Sequence, residues 1–322
     1  AKIKIYRFSF GVKIQNNNPV NFTRAFNSKE KAAYMQCISQ AKKELGLKDT
    51  TAILFDYLVP STKEKNIGIG SSFSKNAQTF VNFLKEICGI NSLQLNPQGI
   101  LKDDTVSPYS GTFLSIGEHL IDVFQLTEKE FCNILSNEDI AKYLIEEDGD
   151  KVYETDYHKL VRQDYKKDKS QFLFSNLLAT AYENFKKLSP DAPFIKEFHD
   201  FCEAQNYRLE KDSLYYALSE KYGSTQWQNW SEYQNLFENN SPDLNSLKEK
   251  LSEEIDYFKF VQFIAAKQQH NSKKEFNKKG VKIYGDIPIS FSPAEQWGNK
   301  SVFSKGYSFG YFIDGEFKDW GS

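Results

Sequence analysis

A strand, a helix and a second strand follow one another between residues 52 and 96, and this order does most to limit the fold. Residues 52–58 (AILFDYL) form an apolar run of strand length. After a glycine-containing loop, Ala77, Phe80, Val81, Leu84 and Cys88 recur at helical spacing within 74–88. Ser72 or Ser74 can cap the start of that helix, and Gly89 can end it. Residues 92–96 (SLQLN) then read as a short strand. Two strands joined through a helix lie parallel, with a right-handed crossover. A third strand-like run, 281–289 (VKIYGDIPI), follows a helix over roughly 247–278, continuous or with a break, and Gly280 comes after it. This is a second helix-to-strand step of the same kind.

The chain between these steps reads as mostly helical, with helices expected at 128–137, 177–187, 194–204 and 211–222. The organisation predicted is an N-terminal extension over 1–50, the first part of a barrel-type α/β scaffold over 51–124, an inserted helical subdomain over 125–245, and a barrel continuation over 246–322. Within the extension, 2–14 reads as a strand, 16–19 as a turn, and 28–46 as a helix between Ser28 and Gly46. No internal repeat is visible.

Charge and cysteine usage remove several classes of function. With 41 basic and 43 acidic residues the net charge is -2, against general binding to a nucleic-acid backbone. Cys37, Cys88, Cys132 and Cys202 are far apart, with no zinc-ligand spacing. Reduced thiols fit better than disulfides, which points to a cytoplasmic protein. No apolar stretch reaches membrane-spanning length, so no membrane partner is expected. Residues 1–20 lack a signal-peptide core, and the initial Ala1 fits a lost initiator Met. The 27 Phe, 18 Tyr and 4 Trp supply a core, and a Tyr or Trp on a wet cleft would suit the face of a sugar or a base.

The loop 67–71 (IGIGS) has two glycines but no third, and it lies too far from its strand for a dinucleotide fingerprint; a structural turn is the favoured reading. There is no GxSxG and no HExxH, and His119, His158, His199 and His270 fall on predicted helix or polar surface. The acidic run 146–150 lacks the ligand spacing of a calcium loop. Two loops are better placed for chemistry. In 103–111 (DDTVSPYSG), Pro108 restrains Tyr109, whose ring can stack on a sugar and whose hydroxyl can hydrogen-bond; an ordinary turn with a packed Tyr is the alternative. In Gly285-Asp286-Ile287-Pro288, Asp286 stands at the carboxyl end of a strand and can accept bonds from sugar hydroxyls, or can merely cap the turn. Trp297 is a further stacking candidate.

These landmarks, in this order, resemble glycoside hydrolase family 77, the amylomaltases and disproportionating enzymes. AILFDYLVPSTKEKNIGIGSS is similar to the family's opening strand and Gly-Ile-Gly-Asp stretch. FVNFLKEICGI with LQLNPQG resembles its next helix and strand, and SPYSGTFLSIGEHLIDV its Ser-Pro-Tyr-Ser loop. LYYALSEKYGSTQWQNW is similar to the Trp-rich end of its inserted subdomain, and FVQFIAAKQQHNSKKEFNKKGVKIYGDIPISFSPAEQW to its long helix and Gly-Asp-Ile-Pro-Ile strand. The resemblance covers about residues 50–322.

The resemblance implies a (β/α)8 TIM barrel with a large inserted helical subdomain. It implies a 4-α-glucanotransferase that moves α-1,4-glucan segments between maltodextrins with retention, without a cofactor. Tyr109 matches the family's donor-site tyrosine and Asp286 its substrate-contacting aspartate; Tyr57, Pro108 and Trp297 carry over from the same loops as substrate-binding residues. Departures fall at Leu93 and Asn96 of the second strand, at Asp56-Tyr57 where the family has His-Pro, and at Ser292-Pro293-Ala294-Glu295. The family's catalytic carboxylates lie on strands after the third, so catalytic residues are not expected in this segment. Three strands cannot close an eight-stranded barrel. The rest of the barrel is therefore an expected partner, supplied by further C-terminal chain or by a second polypeptide. The alternative function is a non-catalytic glucan-binding or protein-interaction protein derived from this barrel, and a nucleotide-binding enzyme using 67–71 ranks third.

Overall fold

The computed structural model describes residues 28–101, 107–144, 173–237, 244–304, 307 and 310–319. The strand expected at 2–14, His158 and the acidic run 146–150 lie outside the described residues. Strands β1 (Thr51–Leu54), β2 (Ser92–Leu95) and β3 (Lys282–Tyr284) form one sheet in the order β1-β2-β3. Both pairings are parallel, as the helix-linked order of the sequence requires.

The strands are shorter than expected. β1 stops before Asp56, whose carboxylate is taken by Ser72 and Gln98 as the chain turns through a 3-10 segment, Asp56–Leu58. β3 stops at Tyr284, ahead of Gly285-Asp286-Ile287-Pro288.

Helix α1 is Ser28–Glu44. Helix α2 is Lys75–Glu86, with Ser74 accepting from the Ala77 amide as its cap. Gly89 follows at φ +65°, a conformation that favours glycine. Ala77 and Val81 are fully buried as their spacing predicts, whereas Cys88 is only half-buried and Ile87 takes the inner place. The thiols of Cys37, Cys88, Cys132 and Cys202 are all free.

The helix expected at 128–137 is not formed. That stretch runs through 3-10 turns at Val123–Thr127 and Lys129–Phe131, then Cys132 and Asn133 at positive φ, and only then the short helix α3, Asn137–Ala141. Asn133 Nδ2 donates to the Thr127 carbonyl at 2.5 Å, a local bond that competes with helix. Phe131, Ile134 and Leu135 still reach the core.

Helices α4 (Leu173–Phe185), α5 (Pro193–Ala204) and α6 (Asn206–Tyr222) match their expected positions. The long helix is broken into α7 (Leu244–Lys250) and α8 (Ser252–Lys278). Helix α9 is Pro293–Gly298. A hairpin, β4 (Gly310–Ile313) with β5 (Glu316–Asp319), was not foreseen, although Asp314-Gly315, both at positive φ, is a strong hairpin signal.

α8 is the spine of the molecule. Its Phe260, Ile264 and Ala265 pack with α4 and α5, and its last turn puts Phe276 under the sheet beside Ala77, Val81, Leu93 and Leu95. Gln262 and Gln268 each grip a passing backbone by both amide atoms, at Ile116 and at Asp122, with contacts of 2.8–3.0 Å. The opposite face of the sheet is open: Ile53, Gln94 and Tyr284 stand side by side in register, with Ile53 66% and Tyr284 50% exposed.

Candidate functional site

Tyr109 and Asp286 are held by the segments that follow β2 and β3. Pro108 opens the 3-10 turn Pro108–Ser110, where its fixed φ suits a first position and its missing N–H costs nothing. The base of this loop is closed. Gly99 pairs with Ile116, the Thr112 amide donates to the Ile100 carbonyl at 3.0 Å, and a Cβ at Gly99 would lie 1.9 Å from the Thr112 carbonyl oxygen. Only glycine allows that approach.

The two loops are zipped together. The Tyr109 carbonyl accepts from the Ile289 amide at 3.0 Å and from the Ser290 amide at 3.3 Å. The Tyr109 hydroxyl donates to Asp286 Oδ2 at 3.0 Å, and Gln94 Nε2, on the open face of β2, donates to the same oxygen at 3.2 Å. Asp286 Oδ1 accepts the Ile287 amide at 2.9 Å. Partial burial, and then the Asp286 carboxylate beside it, push the Tyr109 phenol above its ordinary value. Both side chains are only half-buried. A carboxylate with further lone pairs and a tyrosine ring thus meet on the open side of the sheet, a pairing suited to the hydroxyls and apolar face of a sugar.

Trp297 departs from its expectation as a stacking platform. It is 2% exposed, its Nε1 donates to the Tyr233 carbonyl at 2.9 Å, and Tyr215, Trp230 and Phe237 pack around its ring. The apolar spacing of α9 against α6 makes it core. Tyr57 lies in the 3-10 turn after β1, but its side chain is outside the described residues, as are residues 102–106 of the Tyr109 loop.

Sequence reasoning missed Gln94, although an amide side chain between Leu93 and Leu95 was a signal. It also missed the network at Asp56. Asp56 is 4% exposed and accepts from Ser72 Oγ and from Gln98 Nε2 at 2.8 Å, while Gln98 Oε1 accepts from Gln269 at 2.7 Å. Burial pushes its carboxyl up to about 6 against the two hydrogen bonds.

The 67–71 loop is accounted for by packing. A Cβ at Gly70 would lie 1.9 Å from the Val59 carbonyl oxygen, Gly68 sits at φ +83°, and Ser71 Oγ donates to the Leu120 carbonyl. No cluster of His, Cys, Asp or Glu suited to a metal occurs among the described residues, and no described helix is long and apolar enough to cross a membrane.

The family model described as 4-alpha-glucanotransferase matches residues 59–315. The chain is similar to the 4-alpha-glucanotransferase of Aquifex aeolicus, 30% identical over 257 residues, which is 78% of this chain and 44% of that protein. It is similar also to that of Clostridium butyricum, 30% identical over 239 residues, covering 73% and 44%. The chain thus spans less than half the length of these curated relatives. In fold it is similar to the amylomaltase from Streptococcus agalactiae solved with acarbose, with a TM-score of 0.63 and 24% identity over 80% of this chain and 47% of that one. On the family match across 59–315, the chain belongs to the glycoside hydrolase 77 family of 4-alpha-glucanotransferases.

Proposed function

We propose that this chain forms the glucan-holding part of a 4-α-glucanotransferase, which transfers α-1,4-glucan segments between maltodextrins by retaining double displacement. The observation that carries this reading is the bond between Tyr109 and Asp286, two residues delivered by neighbouring parallel strands to one open face. Ligand sites of parallel α/β folds gather beyond the carboxyl ends of the strands. Asp286 would accept bonds from sugar hydroxyls and the Tyr109 ring would lie against the sugar, with Pro108 fixing the turn that presents it.

The sheet itself is read as the first three strands of a (β/α)8 barrel, with residues 51–124 and 246–322 in the barrel, 125–245 inserted, and 1–50 an extension. Ile53 and Tyr284 would then be interior positions, covered by strands of the same or a second polypeptide. Those strands would bring the nucleophile and the acid/base carboxylate, which retaining transfer needs about 5–5.5 Å apart. A cytoplasmic location follows from the reading of reduced thiols.

The test is incubation of the full protein with maltotriose. Glucose together with longer maltodextrins is expected; hydrolysis alone, or no reaction, would defeat the proposal.

A further inference from the structure

The segment just beyond Tyr109 is gripped in an unusual way. Phe113 is 38% exposed and Leu114 61%, so burial holds only the second half of it, where Ser115 and Ile116 are buried. Polar groups hold the whole of it, one residue after another. Glu295 Oε1 of α9 accepts the Phe113 amide at 2.9 Å. Arg208 Nη1 of α6 donates to the Leu114 carbonyl at 2.7 Å. Ser115 Oγ donates to Asp212 Oδ2, one turn further along α6. Gln262 of α8 takes both backbone atoms of Ile116 at 2.8 Å. The Phe113 ring also stacks on Phe291, at 5.4 Å between centroids, on the segment that carries Asp286.

Asp212 is 7% exposed, and the site described above leaves it without a role. An arginine and two carboxylates would be an expensive way to hold an exposed loop whose placement did not matter, because half-buried and buried charges carry a desolvation cost. Glu295 is fixed in turn. Its Oε2 accepts the Ser292 amide at 3.0 Å and the Ser292 hydroxyl, in the capping box that starts α9. One carboxylate thus bonds to the Tyr109 segment through one oxygen and to the Asp286 segment through the other.

We infer that Glu295 is a positioning residue, which with Arg208 and Asp212 of α6 holds the Phe113–Ile116 rail and so fixes Tyr109 opposite Asp286. The inference rests on the proposed glucan transfer for its readout. Its consequence is that α6, between β2 and β3, and α9, after β3, set glucan affinity from outside the site: loosening the rail leaves the reacting groups alone and weakens the hold on substrate.

The experiment measures KM and kcat for maltotriose with the full protein, in Glu295→Ala, Glu295→Gln and Ser115→Ala, beside Gln268→Ala. The last removes a backbone clamp of the same kind at Asp122, off the rail. Loss of one charge-assisted bond predicts a KM about tenfold higher in Glu295→Ala, with kcat within about twofold. Glu295→Gln keeps a single acceptor oxygen, enough for the Phe113 amide or the Ser292 amide but not both, so its KM should fall between those of wild type and Glu295→Ala. Ser115→Ala should show the same split more weakly, and Gln268→Ala should lower Tm without raising KM. Should Glu295→Ala fail to fold, Ser115→Ala decides. Unchanged KM on the rail, equal KM in the Ala and Gln variants, or an equal rise in Gln268→Ala would overturn the inference. A wild-type protein that binds maltotriose without transferring it defeats the transfer reading alone, and the rail is then judged by the dissociation constants of the same variants. A wild-type protein that does not bind it defeats both.

Discussion

The same three strands have two unlike faces. On one, Leu93 is fully buried and Leu54 and Leu95 nearly so, against Ala77 and Val81 of α2 and Phe276 of α8. On the other, Ile53 and Tyr284 are half or more exposed with Gln94 between them in register. A strand alternates its side chains, so one short run serves both faces at once. The packed face is finished by helices close by in the fold. The open face is apolar at its edges and polar at its centre, and there Gln94 and Asp286 meet Tyr109. Stability is concentrated on the first face, and the proposed glucan site lies on the second.

The largest test of that contrast is Leu93→Ala. It empties a site closed on every side, so unfolding in urea should show a loss of about 2–5 kcal/mol. A loss below about 1 kcal/mol would mean that the helices do not seal this face.

Asp56→Asn sharpens the contrast through charge. Asp56 follows Leu54 at the same parity and is buried with it, and its carboxyl is raised from 3.8 to about 6. A raised acid gives its share of stability below pH 3.8 and loses it as pH climbs through 6, because the folded state then has to hold a desolvated charge. The variant should therefore be about 1–3 kcal/mol more stable than wild type at pH 8 and no more stable at pH 4. A variant less stable at pH 8 would show that the bonds from Ser72 and Gln98 to the charged form outweigh its burial.

The smallest effect belongs to Ile53→Ser on the open face. In this chain it should change stability by no more than about 0.5 kcal/mol, the usual range for exposed positions. A loss near that of Leu93→Ala would show a layer lying over this face in solution.

Local pattern determined a good deal of this protein. The parallel sheet was legible because helix-linked strands have little other way to pair, and α2 with its Ser74 cap followed from spacing and capping chemistry. The pairing of Tyr109 with Asp286 was legible from their places after successive strands and from the family resemblance. Spacing misled where local bonds competed with helix, as at Asn133, and where an aromatic could suit either core or cleft. Only tertiary structure sent Trp297 inward, because α9 lies against α6. Only tertiary structure brought Asp56 to Ser72 and Gln98, or Glu295 to Phe113 across 182 positions of chain. Such contacts leave no trace in local sequence, because each residue type is ordinary where it stands and its partner is chosen by the packing of distant helices.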